Sequence, residues 1–150
     1  MSTLLKVKKK REIEYPTTSS KYMPESSIHR DVITYLLQVA EELFSTRNDI
    51  GIHGDLMLYY EEGNPSIHVA PDFFLAFGVP KKERGTYKVW EEGKAPDLIV
   101  EVTSKNTRKV DVQKKVKLYQ DVLKVKEYFL FDPEERYLSP SLREIGRAHV

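Results

Sequence analysis

Glu101 stands inside the run Leu98-Ile99-Val100-Glu101-Val102, where a buried carboxylate needs a cation or a metal ion beside it. A second acid, Asp72, follows Pro71 and opens another apolar run, Phe73 to Phe77. If these runs are neighbouring strands, Asp72 and Glu101 converge at one end of a sheet. Two hard carboxylates placed this way suit Mg²⁺, which keeps several waters and waits for phosphate oxygens. Strand alternation puts Asp97, Ile99, Glu101 and Thr103 on one face and Leu98, Val100 and Val102 on the other. Asp97, after Pro96, is either a further acid at the metal or a residue whose side chain caps the opening turn. Further along, Val112, Val116, Tyr119 and Leu123 recur at helical spacing and define a buried stripe. Lys115 falls on the edge of that stripe, whereas Lys114 and Lys117 face water. An ammonium beside paired carboxylates completes a neutralised triad, and it could also position an attacking water or offset charge on a phosphorus centre. Structural alternatives stay open: a plain Glu101–Lys115 ion pair, or Lys115 as the i, i+4 partner of Asp111.

The elements that must hold these residues can be read from periodicity. Ile28, Val32, Leu36, Val39, Ala40 and Leu43 predict a helix from Ser27 to about Ser45, with Ser26 or Ser27 as N-cap. Strands are expected over Gly54–Tyr60, Ile67–Ala76 and Asp97–Thr103, with Glu-Glu-Gly-Asn-Pro as a turn between the first two. A second helix is expected over Thr107–Leu123, then a last strand over Glu127–Asp132, stopped by Pro133. Helix, three strands, helix, strand implies an α/β sandwich: a mixed sheet with helices packed against it. Ala-Pro-Asp opens an apolar strand twice, at Ala70 and at Ala95.

Composition narrows the class. A chain of 150 residues, 40% hydrophobic and 31% charged, fits one soluble domain. The formal charge of +1 gives no global signature, so nucleic-acid contact would rest on local patches. The absence of cysteine excludes disulfides and thiolate metal sites and suits a cytoplasmic setting. No apolar run approaches the ~18 residues of a membrane span. Histidines show no zinc spacing, and there is no phosphate-binding loop or nucleophile elbow. His29, on the apolar side of the first helical turn, is either a packing histidine or a general base. Lys81, Lys82, Arg84 and Lys88, interleaved with Tyr87 and Trp90, form either a nucleic-acid-tracking loop or a solvated hairpin. Residues 1–23 read as a basic, loosely held arm, 24–142 as the domain, and 143–150 as a non-native tail that has lost strand and helix patterns.

Pro71-Asp72 followed by Glu101-Val102-Thr103-Ser104 resembles the PD-(D/E)XK nuclease pattern. The longer run from His68 through Lys94-Ala-Pro-Asp97 and Lys115 to Asp132-Pro133 resembles the Uma2 family of restriction endonuclease-like proteins, with similarity from about Tyr15 to Tyr137. The resemblance implies a restriction-endonuclease-like fold, a mixed β-sheet flanked by helices. It makes Asp72 and Glu101 the acids that bind Mg²⁺ or Mn²⁺. Thr103 stands where the short motif carries lysine, and Lys115 on the following helix takes that place. Some such nucleases add an acid from the first helix, for which Glu42 is the match. The expected activity is metal-dependent endonuclease cleavage of phosphodiester bonds in DNA, with a second copy of the chain as a further partner. The alternative is a nuclease fold retained as an inactive nucleic-acid-binding or interaction module.

Overall fold

The computed structural model describes residues 11–18, 26–103 and 109–145, with the side chains of 109–112 outside the description. Helix α1, Ser27–Leu43, begins where the sequence says it should: Ser26 is extended, and its Oγ accepts the His29 N–H at 3.3 Å. Its buried face carries His29, Ile33 and Ala40. The stripe read from periodicity is therefore rotated, for Ile28, Val39 and Leu43 are exposed. The helix is apolar over more than one face, and spacing alone does not say which edge meets the sheet.

Five strands form the main sheet in the order β1-β4-β6-β7-β8. They are β1 (Ile50–Gly54), β4 (Phe73–Phe77), β6 (Leu98–Val102), β7 (Glu127–Phe131) and β8 (Leu142–Glu144). All pairs are antiparallel except β6 with β7. A parallel pair needs a crossover, here supplied by helix α3 (Lys109–Lys117) and a π-helical turn over Leu118–Val122. A small sheet of β2 (Leu58–Tyr59), β3 (His68–Val69) and β5 (Tyr87–Lys88) sits beside it, followed by the short helix α2 (Val89–Glu92). On one face of the main sheet, Ile50, Ile52, Phe73, Leu75 and Val100 meet Ala40 of α1; on the other, Phe74, Ala76 and Ile99 meet Tyr119, Leu123 and Tyr128.

The expected mixed α/β fold is present, and its middle differs in detail. The strand expected over Gly54–Tyr60 is two pieces in two sheets, separated at Asp55, whose φ is 50°. Strand β1 was hidden because Gly51 and Gly54 interrupt its apolar pattern. Gly54 is small for a reason: a Cβ there would lie 2.9 Å from Ile33 and 3.1 Å from Leu37, so glycine lets α1 approach the sheet. Strand β8, Leu142–Glu144, pairs with β7 and runs across the expected boundary at residue 142. All three of these residues are exposed, which leaves no alternation to read.

Candidate active site

Antiparallel pairing sets Phe73 opposite Val100. One step further along the same register, Asp72 and Glu101 become cross-strand neighbours, and both are buried. Like charges placed so are unfavourable unless something offsets them. For Asp72, Oδ2 accepts the Val102 N–H at 2.7 Å and lies 3.2 Å from His29 Nε2. The same ring nitrogen lies 3.1 Å from the Val102 carbonyl oxygen. Both partners are acceptors, so Nε2 carries the proton and donates. His29 reaches this place because the Ser26 cap fixes the first turn of α1 against the strand ends.

Glu101 is held from the other side of the sheet. Its Oε2 accepts from Lys115 Nζ at 3.0 Å and its Oε1 from the Tyr119 hydroxyl at 2.6 Å. Lys115 and Tyr119 are four residues apart, on one face of the crossover helix. The lysine side chain is 35% exposed, so its head lies between the buried carboxylate and solvent. Burial, and then the Asp72 charge, push Glu101 up to about 8, against the opposing pull of Lys115 and Tyr119. Burial acts upward on Asp72 too, but the hydrogen bond from His29, with the Lys115 charge and the Val102 amide, holds it below the usual carboxylate range. Of the two acids, Glu101 is therefore the one that takes up a proton more readily.

Other expected residues lie elsewhere. Thr103 follows Glu101 on the same face, but its Oγ1 donates to the Phe131 carbonyl at 3.3 Å. Asp97 opens β6, four residues or about 13 Å from Glu101. There it accepts the Phe77 N–H at 2.7 Å and pairs with Lys94 at 2.6 Å and Lys126 at 3.5 Å. These contacts tie the start of β6 to the end of β4. Glu42 is exposed near the far end of α1, about 20 Å of helix from His29. Arg84 faces inward: its side chain is 2% exposed and forks onto Glu92 at 2.7 and 3.0 Å. Lys81 pairs with Glu41 at 2.7 Å, and Lys88 sits 4.7 Å from the Tyr15 ring, while Lys82 is exposed. Residues 1–10 and 19–23 of the expected basic arm lie outside the described residues, as do 24–25 of the expected domain and 146–150 of the tail. The sequence reading missed Tyr119 as a Glu101 partner. Its signal was the i, i+4 spacing from Lys115, hidden because tyrosine on an apolar stripe reads as core.

The chain belongs to the Uma2 family, whose model, described as "Putative restriction endonuclease", matches residues 8–147. Among solved structures, the chain is similar to a crystal structure of a putative nuclease belonging to DUF820 from Anabaena variabilis ATCC 29413. The TM-score is 0.56 and the identity 18%, over 76% of this chain and 61% of that one. That likeness shows the fold, and this chain spans less than two thirds of the neighbour. No curated protein matches.

Proposed function

We propose that this protein is a Mg²⁺- or Mn²⁺-dependent endonuclease that hydrolyses phosphodiester bonds in DNA. The observation that carries the reading is an acid surplus among the described residues. Two buried carboxylates stand side by side at adjacent strand ends, with one lysine between them and solvent. Among the described residues, no three His, Cys, Asp or Glu side chains form a group able to hold an ion unaided. Asp72 and Glu101 would therefore be joined by the Val102 carbonyl and by water, the oxygen-rich, partly hydrated setting that Mg²⁺ favours. The raised Glu101 supports this, since a divalent cation would relieve the Asp72 repulsion that helps to raise it. When bound, the ion supplies polarisation of the scissile phosphate and a more acidic water.

The remaining work falls to the chain. His29 and the Val102 amide orient Asp72, and Tyr119 fixes the rotamer of Glu101. Lys115, half in solvent, orients the attacking water and offsets the negative charge that grows on the phosphate oxygens. The supporting experiment is Mn²⁺-dependent cleavage of supercoiled plasmid and of single-stranded DNA by wild type, Glu101→Ala and Lys115→Ala. Cleavage by wild type alone is expected. Silence from all three, with no Mn²⁺ binding by calorimetry, would leave Glu101, Lys115 and Tyr119 as a structural network.

A further inference from the structure

A cleft of about 590 Å³ lies along the outer edge of β1, walled by α1 at Glu41 and by the loop that carries Lys82 and Glu83. Its floor is the strand itself, at Ile52, His53 and Gly54. Two hydrogen bonds fix which backbone groups face it. Asp55 N–H to Asp72 O (3.1 Å) and Gly78 N–H to Asp49 O (2.7 Å) make the odd-numbered residues of this stretch the ones bonded to β4. Ile52 and Gly54 therefore turn N–H and C=O outward, and each residue presents a donor and an acceptor side by side. His53 adds a third directional group. Its Nε2 lies 3.0 Å from Arg84 Nη1, a guanidinium can only donate, and so the ring proton sits on Nδ1. The Glu92 fork holds Arg84 in place, so this tautomer is built into the fold. Burial, then the Arg84 charge, lowers His53 to about 4 and keeps the ring neutral.

We infer that this cleft binds a single nucleobase of the strand held at the carboxylate site, a reading that rests on the proposed nuclease function. Neutral donors and acceptors on a partly apolar floor match the edge of a base, where donor and acceptor also lie side by side. A phosphate needs donors alone, and here Glu41 and Glu83 stand against Lys81 and Lys82. The cleft is also in the right place: Asp55, between lining residues Gly54 and Leu56, is hydrogen-bonded to Asp72. Asp72 lies one strand spacing, about 5 Å, from β1 and Glu101 two, about 10 Å, a span two nucleotides bridge.

The test uses ¹⁵N-labelled protein titrated with each of four nucleosides, with inorganic phosphate as control. In parallel, a fluorescent single-stranded oligonucleotide carrying one abasic position, scanned along its length, is titrated into Lys115→Ala protein so that it survives. Glu83→Trp, which fills the cleft from an exposed loop position, is compared with the unfilled cleft; Lys82→Trp replaces it if circular dichroism shows misfolding. Nucleosides, and not phosphate, should shift Ile52, His53 and Gly54. One abasic position should weaken binding about tenfold, and the filled cleft should lose that dependence. Unmoved β1 resonances, or indifference to every abasic position, would overturn the inference. Plasmid cleavage on the same preparations separates the two readings: cleavage with a silent cleft sinks the pocket alone, and nucleoside shifts without cleavage sink the nuclease alone.

Discussion

The two ends of β6 each carry a buried acid, and they are solved in opposite ways. At the opening end, Asp97 has two lysines, Lys94 and Lys126, and a backbone amide for one carboxylate. Although burial pushes it upward, Lys94 and the Phe77 amide hold Asp97 below its ordinary range. At the closing end, Asp72 and Glu101 share one lysine, and Glu101 is raised. The first end pairs its acid with cations and ties β6 to the end of β4. The second, among the described residues, has one lysine for two buried acids.

The largest break in this contrast should come from Lys115→Ala, expected to lower kcat by about 10²- to 10³-fold with DNA binding retained; a rate within threefold of wild type would return Lys115 to a structural role. Next, Asp97→Asn should cost stability, about 2 kcal/mol by urea denaturation, with cleavage per folded molecule unchanged. A loss of activity without a loss of stability would place Asp97 in the chemistry after all. Tyr119→Phe should weaken Mn²⁺ binding by about tenfold in calorimetry, because the Glu101 carboxylate loses its orienting partner.

A further effect is in pH. Glu101 is raised from 4.5 to about 8, so the folded, metal-free protein holds a proton that the unfolded chain releases. Its contribution to stability is complete below about 4.5 and is lost as the pH rises through about 8. Urea midpoints of the metal-free protein should therefore fall across that window. Glu101→Gln should remove this component, and an unchanged slope would contradict the raised Glu101.

The sequence determined a good part of this. The Ser26 cap, the apolar runs bearing Asp72 and Glu101, and the leaning of Lys115 toward the sheet follow from periodicity, because strand and helix each present side chains at a fixed interval. Short, glycine-broken or fully exposed strands such as β1 and β8 carry no such interval and stayed hidden. Tertiary structure alone decided which acids meet. Asp72 and Asp97 both follow Ala-Pro and open strands, and nothing local separates them. Antiparallel pairing of β4 with β6 brings Asp72 to Glu101 and sends Asp97 to the opposite end. Only packing, likewise, could bring His29 from the first helix and Tyr119 from the crossover onto those two carboxylates, since contacts between residues far apart in the chain are set by register and not by spacing.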